Sequence, residues 1–235
     1  MIQIQRGVLD AKTMLVFTKK TAKIESSADP SSEALLSWNH FRGKARQALV
    51  KELTNMASGL QRCIYCEDSM GTDVDHFAPK STYPALTFDW NNHFLACSHC
   101  NSNLKRNQFP LDALGRPLLV NPVLDDPRMH LAWSPSTGEY TGRDDKGKVS
   151  IKIFGLNNGV RPQGRIDAWY SACALVNAID ELEVGDPEAQ QYLTALRNRP
   201  FTEVFRELVL LSHSDSPLVP RAVSDAIRRR EDLNL

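Results

Sequence analysis

Two cysteine pairs, Cys63-x2-Cys66 and Cys97-x2-Cys100, are separated by thirty residues, and between them runs Asp73-Val74-Asp75-His76. Thiolates paired across two-residue spacers grip a tetrahedral zinc: each pair makes a tight knuckle, and the intervening chain folds back to join them. The opening residues, MIQIQRGVLDAK, lack the apolar stretch of a secretory signal. The chain is therefore expected in the cytoplasm, where thiols stay reduced and a disulfide framework is disfavoured. A structural zinc on Cys63, Cys66, Cys97 and Cys100 is the expected reading, with a redox pair as the alternative. Cys173, in the apolar run Ser171-Ala-Cys-Ala-Leu-Val176, reads as a core thiol.

A zinc joining the knuckles would bring further groups into play. The strand after the first knuckle bears Asp75 and His76, a return strand bears Asn92, and a helix opening near Cys100 presents Asn101. Phosphodiester hydrolysis needs a water deprotonated near neutral pH, and neutral imidazole suits that task. It also needs a hard cation to stabilise charge on the phosphate and on the leaving 3′ oxygen. Carboxylate and amide oxygens hold magnesium or manganese, whereas thiolates hold zinc. The expectation is thus one base, His76, and two oxygen donors, Asp75 and Asn101, around a single catalytic metal. Asp73, on the same strand face as Asp75, reads as a supporting group. His93 reads as a packing residue, and His99, inside a knuckle spacer, as a surface one.

The elements that must position these groups are legible in outline. Residues 1–59 suggest a short extended stretch, a turn-rich linker over 25–30, and a helix capped by Ser31 or Ser32 and running to about residue 58. Its exposed side displays Arg42, Lys44, Arg46 and Lys51, either as a solvated face or as one that meets phosphate. Residues 60–110 hold both knuckles, a strand over 71–77, and a polar helix from Asn101 to about Gln108 that Pro110 ends. Residues 111–160 read as a loop and a hairpin whose strands, 138–141 and 148–154, flank an Asp-Asp-Lys-Gly turn. Residues 161–235 read as helices over 163–183, 187–198, 201–212 and 220–231, a platform for a partner. The class is α+β.

Composition sets outer limits. With 42% apolar and 24% charged residues, wholesale disorder is excluded, and no apolar run approaches a membrane span. Net charge is zero, +4 over residues 1–60 and −3 over 161–235, which argues against coating nucleic acid by bulk electrostatics.

Residues 63–105 resemble the HNH nuclease motif of the ββα-metal fold, in the subclass with a four-cysteine zinc. The residues that carry the likeness are Cys63-x2-Cys66, Asp75-His76-x2-Pro79, Asn92 five residues before Cys97, and Cys97-x2-Cys100-Asn101. The resemblance implies His76 as general base, Asp75 and Asn101 as ligands of the catalytic metal, and Asn92 as the asparagine that holds the loop orienting the histidine. It also implies a zinc-stabilised HNH core flanked by an N-terminal helix and a helical C-terminal region. Phosphate contacts fall to Lys80, Lys105 and Arg106; the family lysine usually lies four residues past the last cysteine, where this chain has Leu104. DVDHFAPKS, CNSNLKRNQFP, LLVNPVLDDPRMHL and IFGLNNGV are similar to the small HNH proteins of Septu-type and retron-associated anti-phage systems. That likeness implies an endonuclease acting on nucleic acid, DNA before RNA such as tRNA, and governed by an ABC/SMC-like ATPase. A zinc-stabilised adaptor that binds without cleaving is the competing class.

Overall fold

A computed structural model describes residues 1–233. It begins with three helices: α1 (Ala11–Glu25), α2 (Pro30–Asn39) and α3 (Lys44–Met56). The extended stretch expected first is limited to residues before Asp10. That side chain accepts from the backbone N–H of Lys12 and Thr13 and so starts α1, which buries Thr13, Phe17 and Ile24 on one face. The single helix expected to reach residue 58 is two. Gly43 takes φ +78°, a left-handed conformation that ends helical continuity, and the break lets Phe41 turn into the core against Phe17 and Phe88.

A two-stranded antiparallel hairpin follows, β1 (Asp73–His76) with β2 (His93–Ala96), then a π-helix over His99–Lys105. The register pairs Asp73 with Ala96, Val74 with Leu95, Asp75 with Phe94 and His76 with His93. Directly opposed residues share a face, so the pleat divides the set in two. Val74 and Leu95, with the two histidines, face the layer built from α1 to α3. Phe94 and Ala96, with the two aspartates, face the core formed by the cysteines, Tyr65 and Phe154.

Beyond the hairpin come α4 (Pro127–His130), β3 (Leu131–Trp133), β4 (Tyr140–Gly142) and α5 (Asp145–Phe154). β3 and β4 pair, so the second hairpin exists, but one strand earlier than expected. The segment expected as its second strand is α5. Asp144 caps it by accepting from Gly147 N–H, and Gly147, Ser150, Ile153 and Phe154 are buried at helical spacing. The β-branched residues 149, 151 and 153 suggested a strand, and burial at a helical period overrode that preference. Helices α6 (Arg161–Asp180), α7 (Pro187–Asn198), α8 (Thr202–His213) and α9 (Arg221–Arg229) form a separate apolar core that contains Cys173. No helix among the described residues is long and apolar enough to cross a membrane.

Candidate active site

The cysteine cluster is the best-defined feature. Among the described residues, Cys63, Cys66, Cys97 and Cys100 alone form a metal-competent group, all buried, with their sulfurs within 4.8 Å of one another. Zinc–sulfur bonds of about 2.3 Å in a tetrahedron place sulfurs ~3.8 Å apart, and Cys66 and Cys97 lie 3.9 Å apart. The donor set fits zinc. Without a cation the four sulfurs compete for protons. Bonds from Cys100 and Cys63 push the Cys66 thiol down to about 6, whereas burial pushes Cys63 up and its neighbours, led by Cys63, push Cys100 up. A divalent cation relieves that conflict by letting all four ionise.

Arg161, which no motif marks, reaches this cluster. Its Nη2 lies 3.4 Å from Cys100 Sγ, and its Nη1 donates to the carbonyls of Phe154 (2.9 Å) and Gly155 (2.6 Å). A cation in the first turn of α6 opposes the helix dipole, which was the available signal that it serves something else. It ties the helical region to the cysteines and offsets their charge.

On the other face, the His76 imidazole is 5% exposed and its Nε2 lies 3.0 Å from the Thr87 carbonyl. A carbonyl only accepts, so Nε2 carries the proton and Nδ1 keeps its lone pair. Nδ1 has no hydrogen-bond partner among the described residues. Burial, then the neighbouring His93 and Lys80, hold the His76 pKa well below the usual imidazole value, so the ring is neutral. His93 Nε2 donates to the same carbonyl at 3.0 Å, but its Nδ1 is sealed without a partner and its pKa is lowered to about 3 by burial. Of the two imidazoles, His76 is the one whose Nδ1 is not sealed and on which the Lys80 charge acts.

Asn92 staples the loop between the strands. Its Oδ1 accepts from Ala78 N–H at 2.7 Å, and its Nδ2 donates to the carbonyls of Ala78 (2.9 Å) and Leu86 (3.0 Å). Those three bonds turn its amide into the loop and fix the segment that carries Thr87.

The oxygen donors are placed differently from expectation. Asp75 is 2% exposed; Tyr65 O–H donates to its Oδ2 at 2.5 Å and Lys105 Nζ to its Oδ1 at 3.0 Å. Asn101 instead turns to Asp73, donating from Nδ2 to Oδ2 at 3.2 Å, where Ser102 O–H also donates. Asp75 and His76, consecutive in β1, leave opposite faces of the hairpin, and no hydrogen bond joins His76, Asp75 and Asn101 to one another among the described residues. As a donor set for magnesium or manganese, Asn101 fits: its Nδ2 is occupied and its Oδ1 remains to bind. Asp75 offers hard oxygens, but a lysine ammonium already neutralises them.

Lys105 does not lie at the surface against phosphate: it is fully buried, bonded to Asp75 and, at 2.7 Å, to the His76 carbonyl. In an α-helix a residue five past Cys100 points roughly 140° away from it. The π-helix, closed by Arg106 N–H to Asn101 O at 2.7 Å, is wider and turns Lys105 back onto the cysteine face. Arg106 is exposed and Lys80 half-buried, neither with a hydrogen bond or ion pair from its side chain among the described residues.

Residues 63–107 match the family model described as HNH endonuclease. The chain is also 31% identical to the Septu protein PtuB of Bacillus mycoides (strain KBAB4), over 50% of this chain and 48% of that protein. To the Septu protein PtuB of Bacillus thuringiensis it is 31% identical, over 57% of this chain and 50% of that protein. The chain thus spans about half the length of the curated relatives it matches.

Proposed function

We propose that this chain is a metal-dependent endonuclease that hydrolyses phosphodiester bonds of DNA as the nuclease member of an anti-phage system, working with an ABC/SMC-like ATPase. The observation that carries the reading is the His76 imidazole: neutral, fixed as the Nε2–H tautomer by Thr87, and free at Nδ1, within a segment matching the HNH endonuclease model. In this mechanism Nδ1 takes the proton of the attacking water, and the growing positive charge on the ring is stabilised through Nε2–H against the Thr87 carbonyl. Asn92 keeps that carbonyl in place. Asn101 Oδ1 would hold magnesium or manganese, joined by Asp75 once Lys105 yields a carboxylate oxygen; the metal, when bound, would stabilise negative charge on the phosphate and the leaving 3′ oxygen. Arg106, exposed, and Lys80, half-buried, supply positive charge for the backbone.

The test is cleavage of plasmid, phage DNA and tRNA by zinc-loaded protein in Mg²⁺ or Mn²⁺, with EDTA as control, alone and with the ATPase. His76→Ala is expected to stay folded and zinc-loaded and to lose cleavage. Cleavage by that variant at the wild-type rate would falsify the assigned base; preferential cleavage of tRNA would move the substrate to RNA. Binding without EDTA-sensitive cleavage, with the ATPase present, would leave an adaptor. The adjacent reading frame is expected to encode a large ATPase.

A further inference from the structure

The histidine face of the hairpin carries a cation with no part in proton transfer or metal binding. Trp38 meets the His76 ring edge-on with centroids 4.3 Å apart and stacks against His93 at 5.3 Å. Over the same indole lies Arg46, from the first turn of α3, its Cζ 4.8 Å from the ring centroid and 6.0 Å from that of Phe41. Arg46 is half-buried and has neither an ion pair nor a hydrogen bond among the described residues. The acid nearest in influence, Asp73, makes no ion pair with it, and Arg42 adds a second positive charge. Lys80, half-buried near His76, is likewise unpaired.

A partly dehydrated guanidinium beside another cation, with no anion against it, is electrostatically unfavourable. Stacking on an indole orients the guanidinium plane while leaving its in-plane N–H donors free for a bidentate oxyanion. The cost of ordering the side chain is then met before a ligand arrives. Phosphodiester oxygens are the matching ligand: planar, bidentate recognition of phosphate is what a fixed guanidinium does best.

We propose that Arg46, set on Trp38 whose ring meets His76, forms a phosphodiester-binding subsite that holds the backbone next to the bond His76 acts on. The subsite rests on the nuclease reading. It settles the two-way reading of the basic helix face for this one position: Arg46 meets phosphate, while Lys51, exposed further along the helix, is merely solvated.

The test is fluorescence anisotropy of a short labelled DNA duplex against zinc-loaded His76→Ala protein, titrated over a range of salt. Each lost phosphate contact lowers the slope of log K against log[salt] by about 0.9. Arg46→Ala and Arg46→Gln are expected to reduce the slope by about that amount. Arg46→Lys should restore part of it, and Lys51→Ala should leave it unchanged. Thermal melting and zinc content of each variant separate a lost contact from a lost fold. An unchanged slope in folded Arg46→Ala and Arg46→Gln overturns the subsite alone. A parent protein with no salt-dependent binding to DNA, either alone or with the ATPase, overturns the nuclease reading on DNA and the subsite with it.

Discussion

Replacing Lys105 by methionine keeps the length of the side chain and removes the ammonium hydrogen-bonded to Asp75. Both side chains are essentially sealed, at 0% and 2% exposure, and 3.0 Å apart. Removing one partner of a buried pair costs about 3–5 kcal/mol, because the other charge stays buried without compensation. The Tyr65 hydrogen bond to Asp75 survives, which places the loss near the lower end, about 3 kcal/mol. The bond to the His76 carbonyl is also lost, adding about 1 kcal/mol. A total near 4 kcal/mol, at about 2–4 °C per kcal/mol for a chain of this size, lowers the melting temperature by about 8–16 °C. The assay is thermal denaturation of zinc-loaded protein followed by circular dichroism, with zinc content measured alongside. Lys105→Met/Asp75→Asn removes both charges and is expected to recover stability relative to Lys105→Met, with a coupling of about 2 kcal/mol or more. A surface lysine would cost less than about 0.5 kcal/mol. A single variant melting within about 2 °C of wild type, or a double variant no better than the single, would refute the buried pairing.

Other expectations are narrower. Cys97→Ser should lose zinc and, with it, the folded 60–110 segment, as read by metal analysis and amide exchange; retention of stoichiometric zinc would contradict the four-sulfur site. Arg161→Ala should keep the fold of α6 to α9 yet release zinc faster to a chelator, because the positive charge beside Cys100 is gone. Asn92→Ala should abolish cleavage while zinc is retained, since three bonds that hold the Thr87 loop disappear; full activity would remove its positioning role. His93 is protonated in the unfolded chain below its ordinary value near 6.5 but in the folded one only near 3, so folding excludes a proton between these limits. Its contribution is complete above about 6.5 and falls by about 1.4 kcal/mol per pH unit as pH drops toward 3. Denaturant titrations of wild type and His93→Phe should show that acid dependence flattened in the variant; parallel curves would show that His93 does not titrate as described.

Local chemistry was legible without coordinates. The four cysteines announce themselves because two-residue spacers within each pair restrict the sulfurs to one knuckle, and Asp75-His76-x2-Pro79 with Asn92 and Asn101 marks the site segment. The C-terminal helices were readable to within a few residues, since Pro162, Pro187 and Pro200 sit at their ends and apolar residues recur at helical spacing. α1 and α5 were not: short apolar runs carry no unambiguous period, and only burial on one side decides between helix and strand.

What tertiary structure alone decided was which way each functional side chain faces. The pleat of β1 sends Asp75 and His76 to opposite faces, and a single π turn buries Lys105 where spacing placed it at the surface. The carbonyl that sets the His76 tautomer belongs to Thr87, eleven residues away, and the cation on Cys100 comes from Arg161, sixty-one residues away. Residue type and spacing dictate which atoms can do chemistry, but contacts across such separations leave no pattern in the chain. They arise only when the layers pack and each polar group must find a partner.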